Sequence, residues 1–435
     1  MAKIFPFPAL RYDPAKVSLA KVVTQPYDKI TPEMQANYYA KSPYNLVRVI
    51  LGRQEPGDSE TNNVYTRAAA NFHAWRAQKI LTRDLDPSIY LYMQCFKVPG
   101  DNSGTILERR GFIALGQIED YDRKVVFRHE QTLSKPKADR LNLLRATCSH
   151  FGQIFMLYSD PAGEVDATLQ QPGSPTVEVR DEYEVIHRML KVSDQEAIAK
   201  AQTLMADKKL IIADGHHRYE TALNFRNEQR KAATDDPDAP YERVMMTFVN
   251  LDSPGLVVLP THRVVFGLEN FNTAEMIRKL EKYFEVSQIG ASSTIESVLR
   301  DLRDSGKERT ALLAITSTGG FMLRALHGQQ SSALAELSER QRSLDVVQLH
   351  KLVLEETLGM CEEDIRNQTN LKYLRDFRDA LNEVRQGANI AFIMNPVVIH
   401  QVRDIAFAGE VLPQKSTDFY PKLLTGLTIY SLEVE

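Results

Sequence analysis

The sequence predicts a mixed α/β fold for this chain of 435 residues. Short segments rich in β-branched and aromatic residues alternate with longer segments whose apolar residues recur every three or four positions. One apolar strand, predicted at 210–213, ends abruptly, and a helical pattern follows at once. The residues between the two are Asp214, Gly215, His216, His217 and Arg218.

Composition indicates a soluble globular protein and disfavours several classes of partner. The chain is 43% hydrophobic and 25% charged, with a formal net charge of -4, which are ordinary values. Because both signs of charge are mixed throughout, we predict neither a nucleic acid nor a membrane as partner. No apolar run approaches the ~20 residues of a membrane span, and the first residues lack an apolar leader. Three distant cysteines fit a reducing cytoplasm.

The first part of the chain predicts helices separated by loops, then two strands. Thr31 followed by Pro32 predicts the start of a helix, whereas the apolar run at 46–51 predicts a strand. From Val64 the helical spacing makes Trp75 a core residue. Two strands near 88–98 and 109–118 then flank a glycine-containing segment typical of a hairpin turn.

The rest of the chain continues the alternation. Ser193, three residues before Glu196, has the spacing of a helix-capping box. The segments 243–250 and 255–265 predict two strands that can join one sheet. Further helices are expected at 274–284, 294–303 and 346–358, and further strands at 310–316, 320–326 and 389–395. We divide the chain into segments 1–125, 126–270 and 271–435.

The residues after the strand predict a phosphate-binding turn. The first N–H groups of a helix lack intrahelical partners and carry partial positive charge, which favours an anion. Gly215 allows close approach to the backbone, and Arg218 offers a planar fork suited to phosphate. His216 and His217 add protonatable donors.

Asp214 is the odd member of this set, since a carboxylate repels phosphate unless something lies between them. We expect it to hold a magnesium ion or a substrate hydroxyl. Two alternatives stay open. Asp214 can simply cap the helix beside surface histidines, and Asp214, His216 and His217 can be zinc ligands, although adjacent histidines on a helix diverge by about 100°.

Other polar clusters fall in predicted loops, and each also has a purely structural explanation. A base together with phosphate-facing cations is what phosphoryl transfer requires. Phosphate contacts are expected from Lys137, Arg140, Lys415, Ser416 and Thr417, substrate contacts from Asp28, Thr261 and His262, and a base from the segment containing Glu130.

Several stretches together resemble a widespread bacterial and archaeal family of unknown function, almost end to end. They are "ADGHHRYETAL", "QPYDKIT", "SPYNLVRV", "RHEQTLSKPKADRLNLL", "PTHRVV" and "LPQKSTDFYPKLLTGL". The 126–270 segment resembles the ParB/sulfiredoxin fold, flanked by further α+β regions. Within that superfamily the chain is most similar to free-serine kinases, which phosphorylate L-serine and carry a D-G-x-H-R signature.

The resemblance implies roles for individual residues. The signature matches Asp214, Gly215, His217 and Arg218, with His216 in the variable place, so a phosphate-contacting loop and an acid at the substrate or metal are implied. Glu130 is the candidate for the kinases' catalytic glutamate. The signature contains no cysteine, which disfavours sulfiredoxin chemistry, and no helix-turn-helix pattern follows it, which disfavours ParB partition function.

The sequence therefore predicts a phosphotransferase that moves a phosphoryl group from ATP or ADP, with Mg2+, to the hydroxyl of L-serine or a similar metabolite. In this hypothesis Glu130, Asp214 and His217 are catalytic. A nucleotide-binding sensor without turnover and a metal-dependent phosphoester hydrolase are the alternatives. The oligomeric state is not predicted.

Overall fold

The computed structural model describes residues 2–101, 103–130, 135–170, 173–232, 236–328 and 331–433, without the side chains of 135–137. It confirms the mixed α/β fold. The chain forms two compact units. The first unit contains 1–128, 132–257 and 421–435, and the second contains 129–131 and 258–420. The division into three segments stays a prediction.

The first unit is built on a large mixed sheet. Nine of the described strands form it, eight of them in the order β6-β11-β8-β12-β5-β4-β10-β9, with β1 pairing to β5. The strands of this unit are β1 (Ile4–Phe5), β2 (Leu10–Tyr12), β3 (Leu81–Arg83), β4 (Ile89–Lys97), β5 (Ile106–Gln117), β6 (Val126–Phe127), β7 (Ser149–His150), β8 (Ile154–Tyr158), β9 (Val177–Arg180), β10 (Ile186–Val192), β11 (Leu210–Asp214) and β12 (Arg243–Asn250), with a further strand (Tyr430–Ser431) near the end of the chain.

The centre of this sheet is buried on both faces. All five residues of β8 are buried, and β8 runs parallel to β12 and antiparallel to β11. Continuous apolar strands are typical of such central positions. β4 and β5 form the predicted antiparallel hairpin. The sheet thereby places the end of β11 beside the start of β8, where the candidate site lies.

Helices of the first unit pack around this sheet, and several begin as predicted. Thr31 caps its helix by accepting a hydrogen bond from Met34 N, and Trp75 is buried. The helices are α1 (Leu19–Val22), α2 (Pro32–Lys41), α3 (Val47–Ile50), α4 (Val64–Ala77), α5 (Lys135–Thr147), α6 (Glu164–Leu169), α7 (Gln195–Met205) and α8 (His216–Ala232).

Two local predictions are wrong. The expected strand at 46–51 is the short helix α3, because Asn45 accepts a hydrogen bond from Val47 N at 3.0 Å and starts a helical turn. Apolar runs this short do not distinguish a strand from a helix by periodicity. Asp194 rather than Ser193 caps α7, while Ser193 Oγ bonds Ser88 Oγ at 2.9 Å.

The second unit contains a separate antiparallel sheet with the order β15-β17-β16-β19-β14-β18. The strands of this unit are β13 (Val257–Leu259), where the chain enters the unit, β14 (His262–Val265), β15 (Phe284–Gln288), β16 (Ala311–Thr316), β17 (Gly319–Ala325), β18 (Leu371–Leu374), β19 (Ile390–Met394) and β20 (Asp418–Tyr420). The strand Tyr430–Ser431 of the first unit is β21.

Helices cover both faces of this second sheet, where two separate apolar clusters lie. They are α9 (Thr273–Leu280), α10 (Ile295–Ser305), α11 (Glu339–Arg342), α12 (Asp345–Gln348), a π-helical stretch (Leu349–Thr357), α13 (Glu362–Asn367), α14 (Phe377–Arg385) and α15 (Ile399–Phe407). The expected pairing of 243–250 and 255–265 in one sheet is wrong, since β12 and β14 belong to different sheets. Among the described residues no helix is long and apolar enough to cross a membrane.

Candidate functional site

The candidate site begins at the turn between β11 and α8. β11 ends at Asp214, and α8 begins at His216. Gly215 between them has φ +94°, a conformation that residues with a Cβ rarely adopt. The glycine therefore allows a strand to pass into a helix within a single residue, as the sequence predicts.

Arg218 folds back over this turn. Its Nη2 donates a hydrogen bond to Asp214 Oδ2 at 2.7 Å, and its Nη1 donates to the backbone carbonyl of Gln153. A Cβ on Gly215 would lie 3.0 Å from the guanidinium carbon, and one on Gly152 would lie 3.3 Å from Nη1. The guanidinium thus occupies the space above Gly215, where the sequence predicts room for a phosphate oxygen.

A second cation meets Asp214 from the end of the chain. Lys422 Nζ lies 3.3 Å from Asp214 Oδ1 and is buried. Burial opposes the ionisation of Asp214, but Lys422, Arg218 and Lys29 outweigh it and hold the pKa of this carboxyl well below its usual value. Asp214 is therefore ionised at neutral pH and carries a stable negative charge.

The backbone that carries Lys422 is held by a buried arginine and an amide. Gln94 Nε2 donates to the carbonyl of Lys422 at 2.9 Å, and Arg109 Nη2 donates to the carbonyl of Pro421. Arg109 also bonds Gln94 Oε1 through Nε at 3.1 Å and lies over the ring of Phe155. Burial lowers the pKa of Arg109 to about 10, which still leaves it charged at neutral pH.

A chain of buried side chains continues from this point. Leu424 N donates to Tyr92 Oη at 3.1 Å, and Tyr92 Oη lies 2.7 Å from His187 Nδ1. His187 Nε2 lies 3.1 Å from Asp181 Oδ2, which also accepts from Gln25 Nε2 at 2.9 Å. Fully satisfied buried networks of this kind define a rigid local structure, so the segment carrying Lys422 has a fixed position.

The loop preceding α2 contributes further charges on the same unit. Tyr27, Asp28 and Lys29 form a single 3-10 turn. The Asp28 side chain is exposed, whereas the Tyr27 ring packs 4.2 Å from the guanidinium of Arg140. Arg140 and Arg218 line one cavity of about 70 Å³, which is far smaller than ligand pockets of ~300–1000 Å³.

The two histidines are half-buried at the first turn of α8. The carbonyl of His217 accepts a hydrogen bond from Thr221 Oγ1 at 2.7 Å, an ordinary intrahelical contact. No group of three or more His, Cys, Asp or Glu side chains is arranged for a metal among the described residues. Since Lys422 and Arg218 compensate Asp214, these residues do not fit a metal ion that the protein holds by itself.

Apart from Lys137, the remaining predicted site residues lie in the second unit. Glu130 Oε1 accepts a hydrogen bond from Lys415 N, and Thr417 Oγ1 lies 2.8 Å from His129 Nε2. Ser416 Oγ donates to the carbonyl of Pro413 at 2.5 Å. These contacts fix the turn that contains the Lys-Ser-Thr sequence.

Two further predicted residues are Thr261, just before β14, and His262, the first residue of that strand. The carbonyl of Thr261 accepts a hydrogen bond from Arg263 Nη1. His262 is buried, and its Nδ1 accepts a hydrogen bond from Met394 N at 3.3 Å. Burial lowers the pKa of His262 to about 4, so it is neutral at pH 7. The Lys137 side chain lies outside the described residues, and the functional role of each predicted residue stays a prediction.

The structure thus brings together Asp28, Arg140 and the 214–218 turn in the first unit. Sequence reasoning missed Lys422 and Arg109. A signal for Lys422 was present, since this lysine interrupts the apolar run Phe419–Leu424, and a charge in such a run is rarely buried without a partner. Arg109 stands in no comparable pattern, because its neighbour Arg110 is exposed.

The chain is similar to several solved structures at low identity. One is a conserved hypothetical protein from Pyrococcus furiosus, with 14% identity and a TM-score of 0.34, covering 68% of this chain and 87% of that protein. A free serine kinase variant in complex with ADP has 13% identity and a TM-score of 0.38, covering 76% and 98%. SbnI from Staphylococcus aureus has 9% identity and a TM-score of 0.36, covering 73% and 87%.

No curated protein matches the sequence. A protein-family model described as "Protein of unknown function (DUF1015)" matches residues 4–347. This match spans most of the chain, including the 214–218 turn. The chain therefore belongs to the DUF1015 family.

Proposed function

We propose that this protein transfers a phosphoryl group from a nucleotide to the hydroxyl of L-serine or a similar small metabolite, using a ParB/sulfiredoxin-like core. The observation that carries the proposal is the set of three cations, Lys422, Arg218 and Lys29, that act on the single carboxylate of Asp214. Asp214 lies two residues before the start of α8, a helix of 17 residues. The signature shared with free-serine kinases falls on the same turn.

The charges at this turn favour a phosphate as ligand. Lys422, Arg218 and Lys29 all act on Asp214, which concentrates positive charge at this turn. The N-terminus of α8 adds partial positive charge. In phosphoryl transfer, catalysis consists mostly of positioning and of neutralising the charge on the transferring group. Asp214 in this proposal orients Lys422 and Arg218 towards the phosphate.

The reaction requires a base for the acceptor hydroxyl. The acceptor oxygen forms a bond to the terminal phosphorus, the bond from phosphorus to the bridging oxygen breaks, and the hydroxyl proton passes to a carboxylate. Glu130 is the base that the resemblance implies. Asp28 is a second candidate, because its exposed carboxylate belongs to the same 3-10 turn as Lys29.

The donor is ATP or ADP in this proposal. Magnesium commonly binds through substrate phosphates and one or two carboxylates. It would accordingly enter with the nucleotide as part of the substrate, since the protein groups around Asp214 do not form a cage for it.

Phosphorus NMR tests the proposal directly. Purified protein is incubated with magnesium and ATP or ADP, with and without L-serine. We expect a new phosphomonoester signal only when serine is present, and its loss in Asp214→Asn. Nucleotide signals that shift without turnover would support the sensor alternative, and signals that stay unaltered would contradict a nucleotide site at this turn.

The same assay distinguishes the two candidate bases. Glu130→Gln and Asp28→Asn preserve size and hydrogen-bonding capacity while removing the charge. Loss of turnover with retained nucleotide binding in one variant, and normal turnover in the other, identifies the base. Normal turnover in both would exclude both carboxylates from that role.

A further inference from the structure

A large cavity lies within the second unit at one edge of its antiparallel sheet. Neighbouring strands of such a sheet run in opposite directions, so β17 and β19 end at the edge where β14 and β16 begin. The loops at these four strand ends enclose a volume of about 750 Å³. Pockets for small ligands typically measure ~300–1000 Å³.

The charged side chains that line this cavity are Arg263, Arg303, Lys307, Glu308, Arg309 and Asp345. Among them Arg263 is fully buried, with 1% of its surface exposed. Its guanidinium donates to the carbonyls of Thr261 and Lys415, the latter at 3.1 Å, and Nη1 lies 3.3 Å from Met394 Sδ. Among the described residues no carboxylate forms an ion pair with it, and its Nε has no hydrogen-bond partner. Tyr373, whose ring centroid lies 5.2 Å from the guanidinium carbon, and Glu130, which forms no ion pair with it, also favour the charge.

A buried cation without an ion-pair partner is costly. Removing a charged group from water requires a compensating charge or hydrogen bonds. Burial lowers the pKa of Arg263 to about 10, but the group stays charged at neutral pH. An anion placed in the cavity would supply the missing compensation.

Two carboxyl groups line the cavity, Asp345 and the exposed Glu308. Burial raises the pKa of Asp345 to about 7. This carboxyl is consequently about half protonated at neutral pH and repels an anion less than an ordinary aspartate does. Gln348 lies one turn further along and is buried, and its Oε1 has no hydrogen-bond partner among the described residues.

The mouth of the cavity combines apolar and cationic side chains. Leu326 is 40% exposed and Val398 is 55% exposed, and both line it. Arg303 and Lys307 lie at the exposed end of α10 and in the loop that follows. The surface therefore offers contact for an apolar group as well as attraction for a negative charge.

We propose that this cavity binds a small organic anion whose carboxylate or phosphate provides a counter-charge for Arg263 and whose apolar part contacts Leu326 and Val398. The site is lined entirely by residues of the second unit. It does not depend on phosphoryl transfer at Asp214.

Saturation-transfer NMR and calorimetry with three probes test this site. Benzoate presents a carboxylate, phenyl phosphate presents a phosphate, and benzamide is the uncharged analogue of benzoate. We expect at least one of the two anions to bind the full-length protein about fivefold or more tightly than benzamide, as expected when a charge-assisted hydrogen bond forms. The stronger of the two identifies the anionic group. Equal binding of all three, or none, would overturn the proposal.

Substitutions in the two units show which residues bind the anion. Arg263→Met should reduce anion affinity about fivefold or more, whereas Arg300→Met removes an exposed arginine of α10 that does not line the cavity and should leave it unchanged. Lys422→Met, in the first unit, should also leave the affinity for benzoate unchanged. Binding lost with Lys422→Met but kept with Arg263→Met would assign the anion to the Asp214 turn and contradict the proposal.

A second variant covers the case in which Arg263→Met fails to fold. Ser343 is exposed and lines the cavity, so Ser343→Glu adds a negative charge at its mouth with little risk to the fold. It should weaken both anions and leave benzamide unaffected. Unchanged affinity for the anions in a folded Ser343→Glu would count against the site.

Discussion

Arg109 and Arg263 are the two largest fully buried side chains of the described residues, and each is 1% exposed. Both donate to a backbone carbonyl in the segment near the end of the chain, Arg109 to Pro421 and Arg263 to Lys415. Burial lowers the pKa of both to about 10. Each unit thus uses a buried guanidinium to hold this segment in place.

The two arginines differ in what surrounds them. Arg109 is bonded to Gln94, and the segment it holds delivers Lys422 to Asp214, whose charge in turn favours that of Arg109. Arg263 has no ion-pair partner among the described residues and lines an open cavity. The comparison indicates that a buried guanidinium supports an ion pair at Asp214 in one unit, whereas in the other unit it has no ion-pair partner among the described residues.

The largest expected effect is the loss of turnover when Lys422, the cation that Arg109 positions, is replaced. Lys422→Met should lower serine-dependent turnover about 100-fold or more, because a preorganised charge on the transferring group is lost. Phosphorus NMR under the conditions given above measures the rate. Lys41→Met, at an exposed lysine of α2, is the matched control. Unchanged turnover in Lys422→Met would make the ion pair with Asp214 purely structural.

Arg109 and Arg263 should also differ in how much each contributes to the free energy of unfolding. Arg109→Met leaves Gln94 Oε1 and the Pro421 carbonyl buried without their donor, and we expect a loss of about 3 kcal/mol in the free energy of unfolding. Arg263→Met loses two carbonyl contacts but also removes an uncompensated buried charge, so about 1 kcal/mol is expected.

Urea unfolding followed by circular dichroism measures both losses, and Trp75, the single tryptophan of the chain, reports on the first unit by fluorescence. Equal losses for the two variants would show that the absence of an ion-pair partner at Arg263 carries no energetic consequence.

The free energy of unfolding should depend on pH through Asp345, which lines the cavity. The pKa of Asp345 in the folded protein is about 7, above its value of about 3.9 in an unfolded chain. The folded state therefore binds more protons between these values, and this contribution to stability is complete below pH ~4 and lost as the pH rises through ~7. Asp345→Asn should remove this pH dependence of the free energy of unfolding.

The expected difference is an Asn variant that is more stable than the wild type by up to about 4 kcal/mol at pH 8 and about equally stable at pH 4. Thermal unfolding at the two pH values measures it. Asp304→Asn, at an exposed aspartate of the neighbouring α10, serves as the control. A constant difference between wild type and Asp345→Asn across this range would contradict the raised pKa.

The smallest expected effect on turnover is that of Tyr92→Phe, in the network of buried side chains that holds the segment carrying Lys422. Tyr92→Phe removes one hydroxyl, which accepts from Leu424 N and lies against His187 Nδ1. A loss of about 1–2 kcal/mol in the free energy of unfolding is expected, with turnover reduced less than in Lys422→Met. A larger effect on turnover than that of Lys422→Met would place the Tyr92–His187 pair in the chemistry itself.

The elements that the sequence predicted correctly are those with strong local signals. Thr31 before Pro32 starts α2, the spacing of apolar residues buries Trp75 in α4, and β11 ends in the turn at Asp214 and Gly215. The short helix at Val47–Ile50 was predicted as a strand, because four residues are too few for either periodicity to be evident.

The polar turn at 214–218 was determined by the sequence alone, since a glycine with positive φ, an acid and an arginine four residues later are local features of the chain. The tertiary structure decided that Lys422, which lies 208 residues from Asp214 along the chain, neutralises it. It also decided that Arg109 fixes Lys422 and that Arg263 is buried beside a cavity. Local rules report on neighbours in sequence, whereas burial and pairing of charges depend on which distant segments the sheets bring together.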